Sequence, residues 1–378
     1  MGFMEKHKVI SQPSLALIGP YPPPYGGVSV HMKRLHQRLG SLNIPARVYC
    51  QPLQKNCHQA GIFPTSIKFS WKTWLPIYGW RCSASIIHFH DGWYWSPAAL
   101  AMLFWGRKVV FTFHNQEVGG AKWQDASLFE QLISKWLFRH PRVWWVAVSQ
   151  EVERQLIQKG VPKSRISVIP AYIPPLSGSA QDLPKYVYDF LRVHSPVVST
   201  YAWKLTLDAQ GVDVYGFDLC VEMIQSLKEK FPGIGLVISL PQIANPKYFR
   251  KLNESIMDYG IQGQVLFVTD PLDDIYKLWQ ASDVFVRATN TDGDALTVRE
   301  ALSAGVPVVA SNVSLRPANT VLFKSRDASA LSVAVRQVLE NHISYVQSLQ
   351  GKKIEDNFPA LLELYQTISK SHNQLSRA

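Results

Sequence analysis

The sequence predicts an α/β protein built from two doubly wound parallel sheets, each in its own domain. The chain has 378 residues, of which 47% are hydrophobic and 18% charged, and this is enough for two hydrophobic cores. Apolar runs of strand length alternate with segments of helical periodicity, and the alternation occurs twice. A segment rich in Pro, Gly and Ser, residues 170–185, separates the two series. This pattern is typical of βαβ units in two successive domains.

The first series of elements predicts an N-terminal domain at residues 1–175. Its strands are expected at 15–19, 86–90, 109–113, 143–148 and 166–169, and its helices at 28–40, 96–105, 125–138 and 149–159. Each strand is a short apolar run, and each intervening segment repeats its apolar residues at helical spacing. Consecutive parallel strands need such helical crossovers.

The second series predicts a C-terminal domain at residues 190–350. Its strands are expected at 197–201, 234–240, 264–268, 283–287 and 307–310, and its helices at 216–230, 246–259, 273–280, 295–304 and 328–342. The remaining residues, 351–378, contain a further helix at about 354–370. That helix is a candidate to pack back on the first domain.

Charge and composition narrow the class of protein and of partner. The net charge of +11 and the pI near 9.4 favour anionic partners. Lys and Arg form no stripe and no aromatic RNA-binding motif is visible, so nucleic acid is not an expected partner. The longest apolar stretch, residues 93–106, is shorter than the ~20 residues that span a bilayer, and no signal-peptide core precedes it. Four scattered cysteines indicate reduced, structural thiols, and we expect a cytoplasmic protein.

The stretch "TDGDALTVREALSAGVPVVASN", residues 291–312, places Asp292, Asp294 and Glu300 in a short helix that an apolar strand follows. The helix N-terminus offers amides from about Ala295, and such amides suit a phosphate. Glu300 lies roughly 7 Å further along the helix axis, at 1.5 Å per residue. One nucleotide-sized ligand could therefore place its diphosphate on the amides, its ribose on Glu300 and a sugar against Asp292, since carboxylates accept hydroxyl hydrogen bonds.

Two other interpretations of these acids remain open. Asp292 or Asp294 could be the N-cap of the helix, with Glu300 a solvated helical residue. The "DGD" sequence at 292–294 also matches a DxD metal site that holds Mn²⁺. That site belongs to a single-domain architecture, whereas two Rossmann-like series are predicted here.

The acid motif and three further segments resemble one enzyme family. Asp292-x7-Glu300, which runs into "EALSAGVPVVAS", resembles the acid-x7-Glu motif of retaining GT-B glycosyltransferases of family 4, the group 1 glycosyltransferases. "IGPYPPPYGGVSVHMKRL", "VVFTFHN" and "VAVSQEVERQLIQKGVPKSRISVIP" resemble successive parts of the same family, in the same order. The resemblance implies the GT-B fold, with an N-terminal acceptor domain and a C-terminal nucleotide-sugar domain facing an interdomain cleft.

The resemblance implies roles for residues of the second domain. Glu300 is expected to hold the nucleotide ribose. Asp292 is expected to contact the donor sugar near the reacting centre, although the family more often has the longer Glu there. The amides of Ala295 and Leu296 are expected to touch the phosphates or the sugar, and Asp294 belongs to the same donor-binding segment.

Five further residues complete the implied site. The backbone at Gly26 and Gly27 is expected to approach the ligand closely. Lys204 is the candidate phosphate contact, with Arg287 as a substitute, because the family's usual Arg and Lys pair is incomplete here. His114 is expected across the cleft, where it contacts the donor sugar and orients the reactants.

The implied reaction is sugar transfer from a nucleotide-diphosphate donor to an acceptor hydroxyl, with retention and without a cofactor or an obligatory metal. The resemblance implies a glycan or lipid-linked acceptor and a role in cell-surface polysaccharide or glycolipid biosynthesis. Trp and basic residues mix at 67–81 and 134–145, which suits an anionic membrane surface and a peripheral position on its inner face. Two alternatives remain: a weak or inactive nucleotide-sugar-binding relative, and another GT-B enzyme such as an epimerase or phosphorylase.

Overall fold

The computed structural model describes most of the chain. The described residues are 13–23, 25–50, 62–64, 84–90, 97–114, 128–176, 182–272, 275–292, 295–352 and 354–371. The chain divides into two compact units. Unit 1 comprises Met1–Pro23, Val28–Ile173 and Asn357–Ala378, and unit 2 comprises Pro24–Gly27 and Pro174–Asp356.

Unit 1 contains a seven-stranded parallel sheet in the order β3-β2-β1-β4-β5-β6-β7. Its strands are β1 (Leu15–Gly19), β2 (Ala46–Cys50), β3 (Ile62–Pro64), β4 (Ile86–His90), β5 (Lys108–Phe113), β6 (Val143–Ala147) and β7 (Ile166–Val168). The central strands β1, β4 and β5 are mostly apolar and are buried along their whole length, as expected for strands covered on both faces.

Helices cover this sheet, and the last helix of the chain joins them. They are α1 (Gly27–Ser41), α2 (Pro97–Phe104), α3 (Leu128–Arg139), α4 (Gln150–Gln158) and the C-terminal α12 (Phe358–Lys370). Leu361, Tyr365 and Ile368 of α12 are buried in the same apolar cluster as Leu15 and Met32. The Tyr365 hydroxyl also lies 2.6 Å from Nδ1 of His88 on β4. The final helix is therefore part of the core of unit 1.

Unit 2 contains a six-stranded parallel sheet in the order β10-β9-β8-β11-β12-β13. Its strands are β8 (Val197–Tyr201), β9 (Gly235–Ser239), β10 (Val265–Val268), β11 (Val284–Arg287), β12 (Val308–Ser311) and β13 (Thr320–Phe323). The order reverses between β8 and β11, so this is a doubly wound sheet with its switch point there.

Helices cover both faces of the second sheet. They are α5 (Lys185–Val193), α6 (Phe217–Leu227), α7 (Pro246–Asp258), α8 (Tyr276–Gln280), α9 (Leu296–Ser303), α10 (Ala328–Glu340) and α11 (His342–Leu349). Alternate residues of β11 pack on opposite faces of the sheet. Val284 and Val286 pack in the apolar cluster on one face, and Phe285 packs in the cluster on the other. Cys220, expected to be a structural thiol, is buried in the first of these clusters, and burial raises the pKa of its thiol.

The predicted fold class is confirmed, and five elements were missed: β2, β3, β13, α5 and α11. Strands β2 and β13 are short runs of mixed character, "ARVYC" and "TVLF", so neither stands out as an apolar run. Helix α5 directly follows the predicted linker, and its sequence "KYVYDFLRV" combines aromatic and β-branched residues that favour strands. It forms because Val187 packs in the core, while Lys185 and Asp189 pair along the exposed side. In the described part of the chain, none of the helices is long and apolar enough to cross a membrane.

Candidate functional site

Asp292 is at the centre of an ion cluster beyond the carboxyl end of β11. Arg287, the last residue of that strand, donates from Nε to Oδ2 at 3.0 Å and from Nη2 to Oδ1 at 3.1 Å. Arg316 donates from Nη1 to Oδ2 at 2.8 Å, and the Thr289 hydroxyl donates to the same oxygen at 3.2 Å. The cluster therefore lies at the switch point of the unit 2 sheet, where doubly wound sheets bind ligands.

The cluster is almost closed to solvent, and its charges favour the ionised form of Asp292. The Asp292 side chain is 9% exposed, and those of Arg287 and Arg316 are 12% and 2% exposed. Burial raises the pKa of Asp292, but the guanidinium of Arg287 and that of Arg316 lower it, and the balance brings the pKa to about 2. One carboxylate between two guanidinium groups leaves the cluster with a net charge of +1.

Both arginines are also fixed by groups outside the ion pairs. Arg287 donates from Nη1 to the Tyr201 carbonyl oxygen at 3.2 Å, and its guanidinium lies 5.2 Å from the centre of the Tyr215 ring. Arg316 donates from Nε to the Ser311 carbonyl oxygen at 3.1 Å. Tyr201 and Ser311 end β8 and β12, the two strands that flank β11 in the sheet. Three adjacent strand ends thus hold the cluster in place.

Glu300 lies on α9, the helix that follows this cluster. Glu300 is 3% exposed, and the indole N–H of Trp279 donates to its Oε2 atom at 3.4 Å. Burial, followed by the nearby charge of Glu300, raises the pKa of the Tyr201 hydroxyl. Glu300 is thus a buried acid beside aromatic polar groups, and the interpretation of it as a solvated helical residue is wrong.

The start of α9 differs from that of a side-chain-capped helix. Its N-cap residue is Ala295, whose methyl group cannot accept a hydrogen bond, and Leu296 is the first helical residue. Asp292 is engaged by the two arginines, so the interpretation of it as the N-cap is also wrong. Asp294 lies outside the described residues.

Unit 1 brings four histidines together at the switch point of its own sheet, between β1 and β4. His88 and His90 are on β4, His31 is on α1 and His114 follows β5. His90 Nδ1 lies 3.2 Å from His114 Nε2, and the ring centres of His31 lie 5.2 Å from those of His90 and 4.9 Å from those of His114. Both nitrogens of His88 have partners, the hydroxyls of Tyr365 and Thr112.

Burial keeps these imidazoles neutral. It lowers the pKa of His31 to about 4, and it lowers the pKa of His88, His90 and His114 well below the ordinary value. The neighbouring rings lower the pKa of His90 and His114 further. His114 is half-buried, whereas the other three are buried.

The remaining predicted residues do not join the Asp292 cluster. Lys204 is exposed, and its ammonium group makes no hydrogen bond or ion pair with any residue that the structure describes. Gly26 and Gly27 group with unit 2, and the carbonyl oxygen of the adjacent Tyr25 accepts from the Tyr201 hydroxyl at 2.6 Å. A Cβ on Gly27 would lie 3.7 Å from Leu296 Cδ1, an ordinary contact, so the fold itself does not require glycine there.

Sequence reasoning missed Arg316 and the aromatic partners Tyr201 and Trp279. Arg316 stands in "VSLRPANT", a loop with no recognisable motif. Its only signal is position, since it follows β12 and β12 neighbours the strand that ends at Arg287. A search for basic residues after each predicted strand would have found it.

Comparisons with known proteins support one fold and one enzyme class. Among solved structures, Anabaena HepE in complex with UDP-glucose matches with a TM-score of 0.66 at 14% identity, covering 96% of this chain and 100% of HepE. WaaG, a glycosyltransferase involved in lipopolysaccharide biosynthesis, matches with a TM-score of 0.65 at 14% identity, over 93% of this chain and 99% of WaaG. A glycosyltransferase from Rickettsia africae matches with a TM-score of 0.66 at 16% identity, over 94% of this chain and 98% of that protein. At these identities the likeness establishes the fold.

Family models identify the enzyme class. No curated protein matches the chain significantly by sequence. The model of Glycosyltransferase Family 4 matches residues 25–175, and that of Glycosyl transferases group 1 matches residues 209–352. The two models cover most of both units, in the order in which the sequence motifs were found. The protein therefore belongs to the GT-B glycosyltransferases of family 4, the group 1 glycosyl transferases.

Proposed function

We propose that the protein transfers a hexosyl group from a nucleotide-diphosphate sugar to an acceptor hydroxyl, with retention of configuration. The observation that carries this proposal is the arrangement at the unit 2 switch point, where Asp292, the start of α9 and the buried Glu300 follow one another. HepE, which shares the fold, binds UDP-glucose. The proposed donor site takes its diphosphate on the amides of Ala295 and Leu296, and its ribose on Glu300.

The hydrogen bonds of Asp292 support a specific role for one of its oxygens. Oδ2 accepts from Arg287, Arg316 and Thr289, whereas Oδ1 accepts from Arg287 alone among the described residues. A carboxylate oxygen has about two lone pairs, so Oδ1 retains acceptor capacity for a sugar hydroxyl. We propose that Arg287 and Arg316 orient the carboxylate and that Oδ1 contacts the donor sugar.

The charge of the cluster suits the reaction. Cleavage of the glycosidic bond to phosphate leaves a more negative diphosphate and an oxocarbenium-like sugar. Arg287, Arg316 and Asp292 together carry a net charge of +1. This charge stabilises the additional negative charge of the leaving diphosphate. The exposed Lys204 and the α9 amides are proposed to add to this positive field. Fixed positive groups of this kind replace a metal ion, so we propose transfer without an obligatory divalent metal or cofactor.

The acceptor is proposed to be a glycan or lipid-linked intermediate of cell-surface polysaccharide or glycolipid biosynthesis, reached at the inner face of a membrane. Unit 1 carries four exposed apolar side chains on or next to α2 and α3, which we group as the apolar patch: Phe104, Trp105, Leu132 and Trp136, exposed by 89%, 42%, 65% and 51%. Helices α2 and α3 connect β4 to β5 and β5 to β6, so right-handed crossovers place them side by side on one face. The exposed Lys135 stands next to Trp136, and this combination suits an anionic interface. Residues 67–81, the other predicted contact, lie outside the described residues.

A second candidate function is nucleotide-sugar binding with weak or no turnover. It is favoured by the engagement of Asp292 with two arginines and by the shorter reach of Asp compared with Glu. A screen of nucleotide sugars that reads released nucleoside diphosphate separates the two. Release stimulated by an acceptor supports transfer, and binding of a nucleotide sugar without release supports the second candidate.

The proposal that no metal is obligatory has its own test. Transfer should persist in excess EDTA, at a rate no lower than in its absence. Loss of activity in EDTA that Mn²⁺ restores would instead favour the DxD interpretation of residues 292–294.

A further inference from the structure

Three imidazoles at the unit 1 switch point form a group that the proposed transfer does not use as a whole. His31, His90 and His114 come from α1, the end of β4 and the residue after β5. One ring nitrogen of each can be chosen so that all three lie within 4.8 Å of one another. Carboxyl ends of parallel strands at a switch point are where open α/β sheets bind ligands.

The hydrogen bond of His31 fixes its tautomer. Its Nδ1 lies 2.6 Å from the carbonyl oxygen of Ala171, and because a carbonyl can only accept, Nδ1 carries the proton. Nε2 therefore carries a lone pair. This nitrogen is buried, the residue is 2% exposed, and Nε2 has no hydrogen-bond partner among the described residues. A histidine that donates from one nitrogen to a backbone carbonyl while the other is available is the usual arrangement of a metal ligand.

The other two histidines already have the spacing that a metal requires. Tetrahedral Zn²⁺ binds imidazole nitrogen at about 2.0–2.1 Å, which places two ligand nitrogens about 3.3 Å apart. His90 Nδ1 and His114 Nε2 are 3.2 Å apart. One of them donates to the other, so metal binding requires that ring to move its proton to its second nitrogen. His90 Nε2 is buried and lacks a partner among the described residues, so no existing hydrogen bond opposes this change.

We propose that His31, His90 and His114 form a binding site for a late first-row divalent cation such as Zn²⁺, with the fourth position open to water. Imidazole ligands suit Zn²⁺, Cu²⁺ and Ni²⁺, whereas Mg²⁺ and Ca²⁺ require oxygen ligands. The positive charge of Arg34 acts on His31 and repels any cation at this site. Only a cation that binds imidazole strongly would overcome this repulsion. The half-buried His114 provides the route of entry.

Occupation of this site would have a consequence for the proposed transfer. A metal ion bound to Nε2 of His114 fixes that ring and adds positive charge beside the donor sugar that His114 is expected to contact, and this sugar becomes oxocarbenium-like during transfer. We therefore expect Zn²⁺ to inhibit transfer, and EDTA to leave transfer unchanged or to raise it. This consequence rests on the proposed function, whereas metal binding itself does not.

The test is a titration of the metal-free, full-length protein with Co²⁺, followed by displacement with Zn²⁺. Co²⁺ bound to three imidazoles and water gives visible ligand-field absorption, and we expect it to saturate at one equivalent. His31→Asn and His114→Gln should each weaken Zn²⁺ binding at least tenfold. His140→Gln is the matched control, because His140 is a half-buried histidine of the same unit outside the cluster, and it should bind as the wild type does.

Each outcome decides for or against the site. A saturable single equivalent that is lost in His114→Gln and kept in His140→Gln supports it. Absence of the Co²⁺ absorption, or equal affinity in the wild type and in His114→Gln, overturns it. If His31→Asn does not fold, His114→Gln carries the test, because a half-buried position tolerates the change best. The titration contains no nucleotide sugar, so its failure says nothing against transfer.

Discussion

Arg287 and Asp292 form a bidentate ion pair at the end of β11, with two parallel N–H···O contacts of 3.0 and 3.1 Å. A bidentate pair fixes the plane of the carboxylate as well as its position. Arg316 approaches Oδ2 from the neighbouring strand end at 2.8 Å, so the acid is held from two sides. Asp292 is therefore an oriented anion, and its orientation depends on residues that precede and follow it in sequence.

Removal of Arg316 should destabilise the protein. The Arg316 side chain is 2% exposed, and its loss leaves a buried carboxylate with only one compensating charge. Breaking a buried ion pair costs about 3–5 kcal/mol of unfolding free energy. We expect the loss in Arg316→Ala to lie near the lower limit of this range, because Arg287 still pairs with Asp292. Denaturant unfolding followed by tryptophan fluorescence measures the change.

Arg336→Ala is the control for that variant. Arg336 is exposed on α10, and its replacement should leave the unfolding midpoint where the wild type has it. Equal midpoints for Arg316→Ala and Arg336→Ala would show that the ion cluster does not stabilise the fold.

The same cluster predicts a dependence of stability on pH. The pKa of Asp292 is lowered from 3.8 to about 2 in the folded state. A lowered folded pKa stabilises the protein above the unfolded pKa, and this stabilisation is lost as pH falls from about 5 towards 2. It amounts to about 2 kcal/mol at neutral pH, at 1.36 kcal/mol per pKa unit.

Asp292→Asn tests this dependence. The difference in unfolding free energy between the wild type and Asp292→Asn should shrink as pH is lowered from 6 through the acid range in which both stay folded. A difference that stays constant with pH would contradict the lowered pKa. The ¹³C chemical shift of the carboxyl group of Asp292 gives a direct second measurement.

The sequence was sufficient to predict the fold class and most of the elements, because long apolar strands and amphipathic helices carry a strong periodic signal. It was not sufficient for β2, β3, β13, α5 and α11. These elements are short and of mixed composition, and they depend on contacts made by distant parts of the chain. For α5 the decisive contact is the burial of Val187, which local propensity does not reveal.

The candidate site, like the fold, was only partly predictable from the sequence. The acid motif predicted the positions of Asp292, Glu300 and the start of α9, because all three are local in sequence. Arg316 follows Asp292 by 24 residues, and the contact of Arg287 with Tyr201 spans 86 residues. Those contacts arise only from the strand order β8-β11-β12, which no local pattern specifies.

Glu300→Gln should weaken nucleotide binding as well as turnover. A contact to ribose is present in the ground state and in the transition state, so its loss affects both. A hydrogen bond to a charged group is worth about 1.5–3 kcal/mol, which corresponds to about a tenfold to hundredfold loss of affinity. Calorimetry with a nucleoside diphosphate measures this directly.

Glu254→Gln is the matched control for Glu300→Gln. Glu254 is exposed on α7 and undergoes the same change of charge. It should retain wild-type affinity. An unchanged affinity in Glu300→Gln would show that the ribose is held elsewhere, and a similar loss in both variants would indicate a long-range charge effect instead of a contact.

The apolar patch on unit 1 predicts reversible binding to anionic membranes. A Lys or Arg near the surface contributes about 1 kcal/mol, and inserted aromatic side chains add to it. The double variant Phe104→Ser/Trp136→Ser removes two of the exposed rings, and Lys135→Glu reverses the adjacent charge. Both variants should cosediment less with vesicles containing phosphatidylserine, and Lys135→Glu should lose its difference from the wild type at high salt.

Ile343→Ser is the control for the patch variants. Ile343 is an apolar side chain that is 73% exposed on unit 2, so its replacement removes a comparable exposed group outside the patch. It should cosediment as the wild type does. Equal binding of the wild type to neutral and anionic vesicles would contradict the electrostatic part of the proposal. Equal binding of Ile343→Ser and the double variant would show that the patch is not the contact, and the positive charge of the chain would then be assigned to the proposed nucleotide site alone.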